Sequence, residues 1–175
     1  MSQRDDPLGK SVTHHLEPGY VYAGRKASVI RTVVGSCVAV CLWDPVSRCG
    51  GMNHFLYPHI SDPAAATPQY GNAAIVALLA MMKEIGCFSQ DLLAQIYGGA
   101  RMMEGTTNCV GEQNIKIARV MLARKKIPVI TEDVGGMMGR KLLFDTDSGH
   151  TAVLKVHRLR QDDWIESVPG NSHDD

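Results

Sequence analysis

The sequence predicts an α/β (α+β) domain with a mixed β-sheet core, sandwich-like, flanked by two main helices. Three observations predict it. Runs of strand length rich in β-branched or apolar residues recur at 20–22, 27–34, 37–43, 49–57, 91–97, 127–131, 140–144 and 152–156. Only two stretches, 70–85 and 112–125, carry apolar residues at helical spacing. The resulting order, β-β-β-β, α, β, α, β, β, β, lacks the strict alternation of a doubly wound sheet, and no G-x-G-x-x-G opens a helix.

Each element has its own local reason. Residues 1–14 are polar and unpatterned and read as a flexible arm. Gly9-Lys10-Ser11 invites comparison with a phosphate-binding loop, but Arg4 stands where that motif needs a glycine. His14 and His15 have no Cys or carboxylate at a ligand spacing, so they read as an exposed pair rather than a metal site. Glu17-Pro18-Gly19 is a turn, followed by a short strand at 20–22. Strand 27–34 stops at Gly35-Ser36 and resumes at 37–43, where both faces are apolar. That strand is therefore expected to be central and covered on both sides.

Asp44-Pro45 ends it, and 49–57 returns with Gly50-Gly51 marking a bulge or a close backbone approach. Three prolines make 57–69 a loop. Ala74, Leu78, Met81, Met82 and Ile85 form one face of the first helix, with Gly86 as its C-terminal glycine and the methionines as core filler. The second helix places its cations late, where they suit the dipole. Residues 127–131 read as a short buried strand, and 140–144 with 152–156 as a hairpin. The organisation predicted is an arm 1–14, one domain 15–160 and a polar tail 161–175.

The totals exclude several classes. Lys plus Arg equals Asp plus Glu, at 18 each, which argues against strong attraction to nucleic acid or an anionic membrane. The basic stretch 119–126 reads as a solvated helix face. The polar N-terminus has no apolar core of a signal peptide, and no apolar run reaches the ~18 residues of a membrane span. An odd cysteine number, five, fits a reducing compartment, and the protein is expected to be cytoplasmic.

The chemistry concentrates in 32–54, TVVGSCVAVCLWDPVSRCGGMNH. Cys37 follows Gly35-Ser36 at a break between strands, where a side chain can face a cleft and backbone amides can converge on an oxyanion. His54 ends the returning strand, so thiol and imidazole can lie side by side, as a cysteine nucleophile with its base requires. A neighbouring imidazolium would lower the thiol pKa. Against this stands the bland reading: cysteines in apolar strands are usually structural, as read for Cys41, Cys87 and Cys109, and a lone histidine there is usually a satisfied core residue. Cys37, Cys41, Cys49 and His54 also supply four potential zinc ligands, at a spacing that matches no common finger or ribbon.

These residues carry a resemblance. TVVGSCVAVCLWDPVSRCGGMNHFLYP resembles the signature of the CheD family of bacterial chemoreceptor glutamine deamidases. EPGYVYAG, YGNAAIVALL, IYGGARMM, GEQNIKIARVML and IPVITEDVGGMMGRKLLFDTDSG are similar to further family segments, so the likeness covers about 16–156. It implies hydrolysis of glutamine side-chain amides, giving glutamate, in the cytoplasmic helical region of methyl-accepting chemotaxis receptors. No cofactor or metal is implied, nor nucleic acid, nor insertion into the membrane beyond recruitment to its receptors. It also implies a fold shared with the catalytic domain of cytotoxic necrotizing factor toxins.

The family's nucleophile falls on Cys37 and its histidine on His54. Its third residue is a threonine six positions before the cysteine in members reading TLGLGSC. Arg31 occupies that position here, and Thr32 stands five before. A one-residue shortening of the loop realigns Thr32; without it, strand parity points Thr32 away. The implied mechanism has Cys37 attack the amide carbon, His54 relay protons, Thr32 orient the imidazole, and amides of Ser36 and Cys37 hold the oxyanion. Two rivals remain: a docking module for CheC, a phosphatase of the response regulator CheY, and a cysteine hydrolase acting on a small-molecule amide in a closed pocket.

Overall fold

The computed structural model describes residues 12–101 and 109–157. The Gly9-Lys10-Ser11 comparison and the predicted tail 161–175 lie outside them. Nine strands form two sheets. The first has the order β1 (Val12–His15), β3 (Ser28–Val34), β8 (Gly139–Asp145), β9 (Thr151–Val156). The second has the order β2 (Val21–Gly24), β5 (Cys49–Phe55), β4 (Val38–Asp44), β6 (Leu93–Gly98), β7 (Val129–Val134). Helices α1 (Gly71–Glu84) and α2 (Val110–Arg124) cover the second sheet. No helix among the described residues is long and apolar enough to cross a membrane.

Side-chain alternation explains the layers. On β3, Ile30, Thr32 and Val34 face inward and are buried, while Arg31 faces solvent. On β4, Val38, Val40 and Leu42 pack with Ala74, Ile75, Leu78 and Ile115 of the helices. Ala39 and Cys41 pack the other way, with Ile30, Leu142 and Phe144 of the first sheet. Strand β4 is thus central and buried on both faces, as its doubly apolar sequence requires. Burying each of these large side chains contributes about 1.5–3 kcal/mol. A polar bridge also ties the sheets: Gln95 Nε2 donates to the Gly149 carbonyl (2.6 Å), and Tyr97 and Thr151 hydroxyls donate to Gln95 Oε1.

Local signals worked where the backbone dictated them. Asp44 Oδ1 accepts from the amides of Val46 and Ser47, which closes the β4–β5 turn. Gly86 (φ +87°) ends α1 in a Schellman arrangement, with Cys87 N–H donating to the Met82 carbonyl. Between β4 and β5 the register is unbroken, so Gly50-Gly51 marks close approach rather than a bulge. A Cβ at Gly51 would lie 2.5 Å from the Tyr22 carbonyl oxygen.

Four expectations need correction. Strand β1 begins at Val12, inside the predicted arm, because it pairs in parallel with β3. His14 is buried against the Tyr22 ring (centroids 4.1 Å apart) rather than exposed. Strand β7 runs to Val134 as a half-exposed edge, not a short buried strand, because only β6 pairs with it. Finally, the odd cysteine number is read as fitting a reducing compartment, whereas Cys49 and Cys87 are joined in a disulfide between β5 and the chain leaving α1. Cys41 is buried and structural, as expected.

Candidate active site

The bend at 35–37 carries Cys37 from the first sheet into the second. Antiparallel pairing sets Ala39 opposite His54 and Val38 opposite Phe55. Cys37, in the bend just before β4, packs against the same cluster as Ala39, whose partner across the ladder is His54. That cluster fills the interior between the sheets and includes Leu16, Ile30, Val34 and Ala39.

Thr32 reaches the same place from the opposite sheet. Its hydroxyl oxygen lies 2.8 Å from His54 Nδ1 and 2.7 Å from the Leu16 carbonyl oxygen. Thr32 is therefore aimed at His54 and not away from it. The reason is that β3 and β4 belong to different sheets, so alternation counted through the bend does not apply.

A hydroxyl has one proton. The carbonyl of Leu16 only accepts, so the Thr32 hydroxyl donates to it, and Thr32 Oγ1 in turn accepts from His54 Nδ1–H. That tautomer leaves the lone pair on Nε2, the nitrogen a general base must use. Replacing Thr32 by valine keeps the shape and removes the anchor for the imidazole. The T32V enzyme is expected to lose about 10-fold or more in kcat, measured as ammonia release, with KM little changed. Unchanged kcat would remove the orienting role.

The electrostatics differ from the expected thiolate–imidazolium pair. Burial pushes the Cys37 thiol up to about 11, against a smaller downward pull from its own backbone amide. Burial pulls His54 down to about 3, opposed by the nearby Leu16 carbonyl and assisted by nearby His15. Both groups are neutral at rest because burial disfavours the charged form of each.

A stability consequence follows. Unfolded His54 takes up a proton below about pH 6.5, whereas the folded residue does so only near pH 3. The unfolded state therefore binds more protons in that window, and stability falls as pH drops through it, by up to about 1.4 kcal/mol per pH unit. Urea unfolding between pH 7 and 4 should show this slope, and His54→Gln should flatten it. An unchanged slope in H54Q would contradict the assignment.

The four residues weighed as a zinc site do not gather. The one group of potential ligands close enough to share an ion, among the described residues, is Asp44, Cys49 and Cys87, and its two sulfurs are bonded to each other.

The backbone of the bend is held from behind. Gly99 N–H donates to the Cys37 carbonyl and Ala100 N–H to the Gly35 carbonyl, both at 2.8 Å. Asn114 Nδ2 donates to the carbonyls of Ser36 (3.0 Å) and Leu56 (2.9 Å). Sequence reasoning gave Asn114 no role. Its signal was present: Asn114, Ala118 and Leu122 recur every four residues on the buried face of α2, and a polar side chain there needs partners.

Comparison with known proteins shows the family. The CheD family, described as CheD chemotactic sensory transduction, matches residues 58–155. A protein of Rhodospirillum rubrum is 43% identical over 144 residues, 81% of each chain. Proteins of Trichlorobacter lovleyi (39% identical, 85% of this chain and 92% of the relative) and Sulfurimonas denitrificans (37%, 82% and 94%) are similar throughout. All three are named probable chemoreceptor glutamine deamidase CheD. The family match begins after His54, but an alignment over four-fifths of 175 residues necessarily spans Cys37 and His54 as well. On these matches the chain belongs to the CheD family.

Proposed function

We propose that this protein is a protein-glutamine glutaminase acting on chemoreceptors, with Cys37 as nucleophile, His54 as general base and acid, and Thr32 as the group that orients His54. The observation that carries it is the Thr32–His54 hydrogen bond, with His54 paired across the ladder with Ala39 of the cluster that Cys37 packs against. The family names of its relatives supply the substrate class.

In the reaction, His54 Nε2 takes the thiol proton as Cys37 Sγ bonds to the glutamine Cδ. The carbonyl electrons move onto oxygen, facing the Ser36 and Cys37 amides. As the carbonyl reforms, the C–N bond breaks and His54 returns the proton to the departing ammonia. Water then adds to the thioester with His54 as base, the C–S bond breaks, and Cys37 regains its proton. Glutamate is left on the receptor.

Exposed aromatic residues beside the chain that carries His54 suit contact with a protein substrate. Tyr20, whose carbonyl accepts from His54 N–H, is 61% exposed, and Tyr57, just beyond β5, is 47% exposed. On this reading the substrate glutamines lie in the cytoplasmic helical region of the receptors, and the protein works in the cytoplasm, recruited to them. Kinship with the catalytic domain of cytotoxic necrotizing factor toxins belongs to the same proposal, and superposition of the two folds tests it.

The test is mass spectrometry of a receptor cytoplasmic fragment from the same organism, incubated with the protein. Gln-to-Glu conversion is expected, and its absence would overturn the reading. One observation favours the second reading, a docking module for the CheC phosphatase: a thiol raised to about 11 is what a protein without thiol chemistry would also carry. Measured CheC binding with no conversion would favour it.

A further inference from the structure

The three carbonyls of the bend are all occupied. Gly35, Ser36 and Cys37 accept from Ala100 N–H, Asn114 Nδ2 and Gly99 N–H in turn. A peptide unit is planar and trans, so its C=O and N–H point in opposite directions. The carbonyl of Ser36 belongs to the same plane as the amide of Cys37. Whatever holds that carbonyl back aims the Cys37 N–H forward.

We propose that Asn114 is a positioning residue for the oxyanion hole, fixing the Ser36–Cys37 peptide so that the Cys37 amide faces the developing oxyanion. The inference rests on the reading of Cys37 as nucleophile.

The side chain suits the task. A primary amide carries two coplanar N–H donors, and both are used: one on the Ser36 carbonyl beside the nucleophile, one on the Leu56 carbonyl two residues beyond His54. Serine has one donor and a carboxylate none. The single bridge therefore ties the nucleophile's bend to the chain that carries the base. Asn114 is fully buried, and among the described residues its Oδ1 has no hydrogen-bond partner.

The helix is seated for this contact. Gly111, one turn earlier, lets α2 approach the segment that holds the bend: a Cβ there would lie 2.5 Å from the Gly99 carbonyl oxygen. Gly111 and Asn114 thus act on one face, the first by absence of bulk and the second by its two bonds.

The test separates aiming the amide from holding the fold. Alkylation of Cys37 by iodoacetamide is a displacement at carbon that forms no oxyanion, whereas amide hydrolysis forms one twice. For Asn114→Ala, kcat for ammonia release should fall about 10- to 100-fold, short of or equal to the loss of one oxyanion donor. KM and the Cys37 alkylation rate should stay within about 3-fold of the parent. Ala118→Gly, one turn along the same buried face, should lower the melting temperature and leave kcat unchanged. If Asn114→Ala does not melt cooperatively, Asn114→Ser is read by the same pair of rates.

Unchanged kcat, or kcat and alkylation falling together, would overturn the proposal. Should Cys37→Ala retain activity, the reading beneath it fails instead. If C37A is inactive while N114A keeps full kcat, only the role of Asn114 is lost.

Discussion

Serine in place of Cys37 should abolish deamidation, with kcat for ammonia release falling at least about 10³-fold. The substitution changes one atom and keeps the bend's three backbone bonds. What it removes is the sulfur. A serine hydroxyl is a far poorer nucleophile, and His54, held down to about 3, is too weak a base to compensate. Stability should change little, since Cys37 is only half-buried. Denaturation midpoint and kcat measured on the same preparation separate the two effects. Activity within about 10-fold of the parent would remove Cys37 from the mechanism.

The second large effect is at His54. Its replacement by glutamine should lower kcat by about 10²–10⁴-fold, the range for a general acid–base group. Glutamine can still accept from neighbours but cannot relay a proton. The parent's pH profile carries the same information. His54 works as a base only when neutral, and burial keeps it neutral down to about pH 3. The acid limb of kcat/KM should therefore lie well below the ordinary histidine value of about 6.5, within the range where the protein stays folded. On the alkaline side, the Cys37 alkylation rate should keep rising toward about pH 11. An acid limb near 6.5, or an alkylation plateau near neutrality, would mean that the pair is ionised at rest.

Much of this site was legible in the sequence because local constraints wrote it. Gly35-Ser36 before Cys37 marked a break between strands, and Asp44-Pro45 marked the turn that brings His54 back. Pairing of β4 with β5 then sets Ala39 opposite His54, and Cys37 packs against the same cluster as Ala39. Thr32 was legible only through resemblance. Its approach to His54 depends on two sheets facing each other, which no pattern within one strand records. The ionisation states were misjudged for the same reason. Charge proximity can be guessed from a motif, but desolvation depends on how tightly the cluster that includes Leu16, Val34 and Ala39 packs.

The edges of the fold show a similar division. Strands β3, β4 and β5 were recognisable from their own residues. Strand β1 was not, since Val12–His15 is polar apart from Val12 and is ordered by pairing with β3. His14 looked exposed in sequence, yet pairing turns it inward onto Tyr22. Asn114 lay inside a helix that was recognised correctly, but its partners are backbone carbonyls some 60 to 80 residues away. Such partners leave no local signature beyond a polar residue on an apolar face.

The central claim is that a receptor glutamine passes through a thioester on Cys37. Hydroxylamine present during the reaction competes with water for that intermediate. Mass spectrometry of the receptor fragment should then show glutamyl hydroxamate beside glutamate at the same position, and neither with Cys37→Ala. Glutamate formed with no hydroxamate at any hydroxylamine concentration, or hydroxamate formed equally by the Cys37→Ala protein, would contradict it.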